Sequence, residues 1–355
     1  MLRVELLPAG YGDAILVSYG PGATPRHTIL IDAGQASTTA PLVDRLDTLR
    51  RSGGRIDLFV VTHVDADHIG GALTLFKRDT IAGMIDGVWF NGYVHLDQAF
   101  GMLGPIQGEK LTKQIVERRL PWNTGWPNPV DVAAGVGGPV VVTRPTRKRL
   151  RGGATATVLS PTPAKLAKLF VVWDRVVTDA GLRPRRPLHE EPELVAPGLL
   201  GGTLDDLAGL RTDLDSAEAN GSSIAFVFEY QGTRVLFGAD AHPDVLTAML
   251  ARLTERPYRL DACKLPHHGS KHNVTTDLVA ALDCPLWLVS TNGVRFSHPD
   301  DIALARVVSG NVGRTPEIGW NYTSHRFDRF RADHPPETSG YTLRLPTFTG
   351  LTIDF

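Results

Sequence analysis

Cysteine is nearly absent: the 355 residues include only Cys263 and Cys284. Each sits in an apolar stretch, "DACKLP" and "LDCPLWL". Two buried thiols cannot make a disulfide framework, and they fit a reducing compartment. Long apolar runs are missing as well. No stretch reaches 18 apolar residues, so no membrane-spanning helix is expected. The opening "MLRVELLPAGYGDAILVSYG" is interrupted by Pro8, Gly10, Gly12 and Asp13 and lacks the apolar core of a signal peptide. The expectation is a cytoplasmic chain with no membrane insertion. Net charge is also lacking, at −1 from 37 basic and 38 acidic residues. General attraction to nucleic acid or acidic membranes is thereby excluded, and any basic footprint must be local. No short-period repeat is present, which argues against solenoids and propellers.

What is present is an ordinary globular composition, 42% hydrophobic and 21% charged. The first third reads as strands over 3–7, 14–19 and 27–32, a helix over 40–51, and a buried strand over 56–62. That strand ends in "THVDADHIGG" (62–71), and a helix is expected from Ala66 to about Leu75. The last third repeats the pattern. A hairpin spans 222–230 and 233–240, followed by a helix over 243–254 and a strand over 260–266 ending in "HHGS". A strand over 286–290 and a helix from about 300 follow. Two βαβ-rich halves facing each other are implied. Residues 100–215 are rich in proline, glycine and mixed charge, with one helix near 163–180, and read as an inserted, loop-rich segment over the core.

The chemistry concentrates at the strand ends. His63 and Asp65 are two apart, so an extended segment points both the same way. Asp67 and His68 fall where a helix begins and can be aimed back at the same point. Imidazoles and carboxylates suit zinc, manganese or iron, and four in six positions can serve two metals. Asp65 or Asp67 alone would read as a helix cap. Asp240, ending the strand in "FGAD", could cap the helix near His242. In "HHGS", His268 is the first choice as ligand, with His267 close behind; spacing does not separate them.

These motifs together resemble the metallo-β-lactamase fold superfamily. "THVDADHIGG" is similar to its H-x-H-x-D-H signature, in the H-x-D-x-D-H variant of the soluble hydrolase domain of ComEC-type DNA-uptake proteins. "LLPAGYGDAILVSY…HTILIDAGQ", "NGSSIAFVFEYQGTRVLFGADA" and "CKLPHHGSKHN" resemble, in order, that family's other motifs. The resemblance implies a four-layer α/β/β/α sandwich with two mixed sheets, formed by one domain over 1–355 with 100–215 inserted. It implies one or two divalent ions, zinc or manganese. His63 and Asp65 would serve the first, Asp67, His68 and a histidine of the pair the second, and Asp240 would bridge them. Asn220 stands where the ComEC-like pattern carries asparagine and would be a weak ligand, with Ser223 completing N-x-x-S. Asp32 would support the cluster through a ligating histidine, and Asp13 would play a similar structural part. Two departures stand out. Asp65 replaces a histidine, which makes manganese a rival to zinc, and the histidine that the superfamily usually carries between the first cluster and the bridging aspartate is not evident.

The resemblance implies a phosphodiesterase or nuclease using metal-activated water, with nucleic acid or another phosphodiester as substrate. Asp67, His267 and His298 are the catalytic candidates; His267 would contact phosphate or donate a proton. His298 reads equally as a substrate-contacting acid or as part of a loop entering a helix. His95 and His189 read as surface loop histidines, and the run Arg144, Arg147, Lys148, Arg149, Arg151 as a solvated loop or a phosphate contact. Rival functions are hydrolysis of a small ester, lactone or phosphoester, and a non-catalytic metal-stabilised module. The sequence names no protein partner.

Overall fold

The computed structural model describes residues 1–92, 94–96, 106–179, 203–311 and 313–355. Its first sheet has six strands in the order β16-β1-β2-β3-β4-β5. These are β1 (Leu2–Leu6), β2 (Ile15–Tyr19), β3 (His27–Ile31), β4 (Leu58–Val60), β5 (Val88–Trp89) and β16 (Leu351–Asp354). The second sheet runs β15-β14-β13-β11-β9-β8-β7-β6. Its strands are β6 (Thr146–Arg149), β7 (Thr155–Ser160), β8 (Ala225–Tyr230), β9 (Thr233–Phe237), β11 (Ala262–Lys264), β13 (Leu286–Val289), β14 (Glu317–Trp320) and β15 (Thr342–Arg344). A two-residue ladder joins β10 (Tyr258–Arg259) to β12 (Leu282–Asp283).

Both sheets are antiparallel on one side and parallel on the other. In the first, β16 through β3 pair antiparallel and β3-β4-β5 parallel. In the second, β6 through β9 pair antiparallel and β9-β11-β13-β14-β15 parallel. Parallel strands end together, so the loops after β3, β4, β9, β11 and β13 gather at one edge, where ligands bind in open α/β sheets.

Strand alternation builds the layers. Leu2, Val4, Leu6, Ile15 and Val17 are buried in one core with Ala156, Val158, Phe226 and Phe228 of the second sheet. Tyr19 bridges the sheets, its ring 5.1 Å from Phe228 and from Tyr230. The alternate residues Leu16, Leu30 and Phe59 face the other way. They pack on Leu42 and Leu46 of α1 (Ala40–Arg51) and on Ile69, Leu75 and Phe76 of α2 (Ala66–Phe76). Leu111 and Ile115 of α3 (Ile106–Glu117) join that outer core. Helix α4 (Pro163–Asp179) comes next. On the second sheet, Val227 and Leu236 share a core with Val245 and Leu246 of α5 (Pro243–Leu250) and with Leu304 and Val307 of α6 (Asp301–Gly310). The result is the expected α/β/β/α sandwich.

The span 100–215 falls partly outside the described residues, at 100–105 and 180–202, a stretch that includes His189. The described part differs from a loop-rich reading. It supplies β6 and β7, the antiparallel edge of the second sheet, and core residues from α3. The basic run lies on that edge and is largely committed within the chain. Arg147 pairs with Glu229 at 3.4 Å, Lys148 lies 4.1 Å over Trp126, and Arg151 pairs with Asp57 and Asp86. Among the described residues no helix is long and apolar enough to cross a membrane.

At the gathering edge the two sheets are stitched directly. Ile224 N–H donates to Thr62 C=O at 3.0 Å, Asn292 N–H to Gly10 C=O at 2.9 Å, and Asn321 Nδ2 to Leu7 C=O at 3.1 Å. A fully buried ion pair, Lys264 Nζ with Asp13, ties β11 to the β1–β2 loop. Breaking such a pair strands one charge in the interior, which costs about 3–5 kcal/mol. Lys264→Ala is therefore expected to lose that much unfolding free energy in urea denaturation. The joint change Lys264→Met with Asp13→Leu should recover most of it. A loss below about 1 kcal/mol in the single variant would show that the pair does not hold the sheets together.

Candidate metal centre

Each candidate ligand sits just past the end of a parallel strand. Asp32 follows β3, and His63 follows β4 by three residues. Asp65 occupies the N-cap position of α2 but makes no side-chain cap hydrogen bond, so the capping alternative is not realised. Asp240 follows β9; the cap position of α5 belongs to His242, which frees the Asp240 carboxylate from that duty. His267 and His268 lie in the turn after β11. Asp32, Ala239, His267 and His268 all take left-handed backbone (φ 53°, 46°, 46° and 55°), a conformation that non-glycine residues adopt only where the surroundings enforce it. Two close approaches press the first cluster into place. A Cβ on Gly12 would lie 1.8 Å from Asp67 C=O, and one on Gly71 1.9 Å from Ala33 C=O.

The side chains converge. Asp240 Oδ2 lies 3.3 Å from His68 Nε2, 3.7 Å from His268 Nε2, and 3.8 Å from both His63 Nε2 and His267 Nε2. Asp67 Oδ2 is 3.6 Å from His268 Nε2 and 3.8 Å from His68 Nε2, while Asp65 Oδ2 is 3.6 Å from His63 Nε2. Metal–ligand bonds of roughly 2.0–2.2 Å in tetrahedral geometry place neighbouring ligand atoms roughly 3.3–3.6 Å apart. The observed separations approach that spacing and exceed those of hydrogen bonds.

Hydrogen bonding supplies the second test of fit. His63, His68 and His268 are buried, and the Nε2 atom of each lacks a hydrogen-bond partner among the described residues, as does Asp240 Oδ1. Buried polar atoms are rarely left so, and four around one point mark a cation site. The opposite ring nitrogens are all engaged. His68 Nδ1 meets Asp32 Oδ2 at 2.8 Å, His268 Nδ1 meets Ser290 C=O at 2.8 Å, and His63 Nδ1 meets Thr62 Oγ1 at 3.0 Å. Thr62 Oγ1 in turn donates to Asp32 Oδ2 at 2.7 Å. With protons on Nδ1, every Nε2 lone pair faces the cluster, the arrangement that orients metal-binding histidines.

The electrostatics are those of mutually stabilising opposite charges. Burial alone would raise the Asp240 and Asp67 carboxyls, but His68 and His268 hold both below the ordinary range, and His267 adds to the effect on Asp240. Burial would lower His268 and His267, yet Asp240 outweighs it, with Asp13 acting on His268 and Asp215 on His267. His267 is raised to about 10.

Most of the residues singled out in the sequence meet here. Asp32 Oδ2 lies 2.8 Å from His68 Nδ1, and Asp13 lies 3.5 Å from His268 Nδ1. Asn220 does not reach the cluster through its amide nitrogen, which donates to Asp215 Oδ2 at 2.8 Å beside His267 Nδ1 at 3.5 Å. Its Oδ1 is buried without a partner among the described residues, and so is Ser223 Oγ. Ser223 N–H donates to Asn220 C=O at 3.0 Å, but no side-chain hydrogen bond among the described residues joins Ser223 to a ligand candidate. His298 is buried, its ring 5.3 Å from that of His267. His95 is a correction. It is fully buried, not at the surface, with its ring 4.4 Å from Trp122 and its imidazole pushed down to about 4 by burial.

Sequence reasoning missed the group behind His267. Its Nδ1 lies 2.9 Å from Asn273 Oδ1 and 3.3 Å from Asp215 Oδ2, and Asp215 also accepts from Asn273 Nδ2 at 2.9 Å. Asn273, three residues past "HHGS", was the available signal.

Asp32 leads to a direct expectation. Asp32→Asn replaces the acceptor shared by Thr62 and His68, and loss of such a partner typically costs 10–100-fold in metal affinity. Competition titration of zinc and of manganese against a chromophoric chelator should show that loss while the circular dichroism of the fold is kept. Unchanged affinity would remove Asp32 from the centre.

Comparison with known proteins locates part of this arrangement. Residues 7–147 match the family model described as Metallo-beta-lactamase superfamily. No curated protein matches the chain. Among solved structures, the metallo-β-lactamase fold protein YhfI from Bacillus subtilis is 11% identical with a TM-score of 0.43, covering 99% of this chain and 98% of its own. A diphosphatase from the PhnP family is 13% identical with a TM-score of 0.40, covering 100% and 98%. A metallo-β-lactamase from Cronobacter sakazakii is 12% identical with a TM-score of 0.30, covering 71% and 70%. The segment 7–147, which carries Asp32 and the His63–His68 cluster, is therefore similar in sequence to the metallo-β-lactamase superfamily, and Asp240 and the His267–His268 turn lie beyond that segment.

Proposed function

We propose that the protein is a metal-dependent hydrolase of phosphodiester bonds, with nucleic acid as its substrate. The observation that carries the reading is the set of Nε2 atoms around Asp240 that lack a partner among the described residues, with His63, His68 and Asp240 forming one group of ligand-spaced atoms and Asp67, His68 and His268 another. His63 and Asp65 would hold one divalent ion, zinc or manganese, and Asp67, His68 and His268 a second, with Asp240 between them. Asn220 could add its buried Oδ1 to the first. Two bound cations would lower the pKa of a shared water and neutralise charge developing on a phosphate, the chemistry suited to in-line phosphodiester cleavage. The nucleic-acid part rests on the ComEC-like order of motifs.

The chain's own side chains supply the rest. Asp67, drawn toward His68 and His268, stays ionised and fixes the edge at which water is held. His267 differs from the other three histidines, with a side chain 23% exposed where those of His63 and His68 are fully covered. Its Nδ1 is held by Asn273 and Asp215, which turns Nε2 toward Asp240 Oδ2 at 3.8 Å, from where it could protonate a leaving oxygen. His298 backs His267, its Nδ1 3.3 Å from Asp300.

The test is to offer metal-loaded protein plasmid DNA, single-stranded DNA, a chromogenic phosphodiester and a small carboxylic ester. Phosphodiester cleavage is expected, lost on chelation and reduced about 1,000-fold or more in Asp240→Asn and Asp67→Ala, since each supports several kcal/mol of charge stabilisation. Turnover of the small ester alone would replace this function with the small-ester reading. Metal contents below about half an ion per chain after reconstitution would remove the catalytic reading altogether.

A further inference from the structure

We infer that Asp215 is a shared positioning residue, one carboxylate that fixes both the proton donor His267 and the amide of Asn220 and so couples the first metal position to the acid of the reaction. The inference rests on the phosphodiester reading above. Four N–H groups converge on Asp215. Asn220 Nδ2 donates to its Oδ2 at 2.8 Å and Asn273 Nδ2 at 2.9 Å, while Ala217 N–H donates to Oδ1 at 2.9 Å. His267 Nδ1 stands 3.3 Å from the same Oδ2. The Asp215 side chain is only 7% exposed, so these groups satisfy it in place of bulk water.

A carboxylate only accepts, and that fixes which end of each neighbouring amide faces it. Asn273 turns its nitrogen to Asp215 and to the Asp240 and Ala241 carbonyls, at 3.3 and 3.4 Å, so its Oδ1 is the atom that meets His267 Nδ1 at 2.9 Å. His267 Nδ1 therefore faces two acceptors and carries a proton. Nε2, 3.8 Å from Asp240 Oδ2, is left as the working end of the ring. Asn220 likewise spends its nitrogen on Asp215, and that nitrogen stands 3.5 Å from His267 Nδ1. Its Oδ1, buried and without a partner among the described residues, is the end left for the first ion. An amide in place of the Asp215 carboxylate would set a donor against at least one of these donors.

A second buried group holds the carboxylate in place. Arg306 of α6 is buried, and its guanidinium donates to Lys271 C=O at 2.7 Å, Val274 C=O at 2.9 Å, Leu210 C=O at 2.8 Å and Thr212 Oγ1 at 3.0 Å. The first two acceptors belong to the turn that carries Asn273, the last two to the loop that carries Asp215. Loop and turn are also bonded directly. Asp215 N–H donates to His272 C=O at 3.2 Å, Thr212 Oγ1 to Lys271 C=O at 3.0 Å, and His272 Nδ1 lies 2.8 Å from Asp213 C=O. The two segments thus form one body, and any displacement of Asp215 reaches His267 and Asn220 together.

Asp215→Asn tests the role through two readouts. Titration of the chelated protein with zinc and with manganese should show the weaker site losing about tenfold or more in affinity, the range for losing a group that orients a ligand, with the tighter site unchanged. At saturating metal, kcat on an oligothymidylate, whose leaving group is a sugar alkoxide, should fall about 100-fold, and kcat on the p-nitrophenyl ester of thymidine 5′-phosphate, whose leaving group needs no proton, less than about threefold. Asp215→Glu should regain part of both losses. Asp215→Asn should cost no further affinity in an Asn220→Ala protein, and no further kcat on the oligothymidylate in a His267→Ala protein. Equal losses on the two diesters, unchanged affinity at both sites, or full extra losses in those backgrounds overturn the shared role and leave the phosphodiesterase reading standing. No cleavage of either diester by the wild-type protein, with a small carboxylic ester turned over, overturns the phosphodiesterase reading and this inference with it.

Discussion

The site depends on one buried carboxylate. Asp32 accepts from Thr62 N at 2.8 Å, from Thr62 Oγ1 at 2.7 Å and from His68 Nδ1 at 2.8 Å. Those bonds offset the cost of burying its charge. They also fix two imidazoles with one group, since Thr62 passes the orientation on to His63. Its left-handed backbone turns the chain sharply out of β3, which puts the carboxylate beneath the histidines instead of among them. Such a conformation costs about 1–3 kcal/mol in a non-glycine residue. The same cost recurs at Ala239, His267 and His268, so the strain collects around the cluster and the two packed cores sustain it.

A second constraint follows from where the ligands come from. His63, Asp65, Asp67 and His68 belong to the first sheet, and Asp240, His267 and His268 to the second. A shift of about 1 Å between the sheets would spoil every distance across Asp240, because ligand geometry tolerates only a few tenths of an ångström. The structure meets this with contacts at the site edge itself. Thr62, whose side chain holds His63, accepts through its backbone from Ile224 of the opposite side, and Asp13, beside His268, is paired with Lys264. The groups that orient the ligands are thus also the groups that lock the sheets.

Strand ends and ligand clusters were legible because both are local in sequence. "THVDADHIGG" places four ligand types within one strand-to-helix turn, and Ala66 begins α2 as its pattern predicts. What lay hidden joins distant residues of ordinary kinds. Lys264 and Asp13 are 251 positions apart, and nothing in "DACKLP" distinguishes that lysine from a solvated one. Asp215 hides in a polar stretch, and only the fold sets it behind His267. His95 looked exposed because it was read as a loop histidine, and loops usually carry solvated polar side chains; Trp122, 27 residues later, packs on it. The alternation of "TRKR" was read as a charged loop, although the same polarity suits an edge strand with one face half covered.

The centre is closed on one side and open on the other, and this asymmetry bears on specificity. His68, His268 and Asp240 are sealed between the sheets, while Asp65 is 38% exposed and His267 partly so. A substrate therefore meets Asp65 and His267 first and can approach only across the loops that flank them. Those are the β1–β2 loop with Tyr11 and the loop after β13 with Phe296 and His298. Under the proposed function the deep side chains would fix which cations bind, and they are too far inside to sense what lies beyond the reacting bond. Discrimination among substrates must come from the two loops, whose aromatic and cationic side chains are the ones a large ligand can touch.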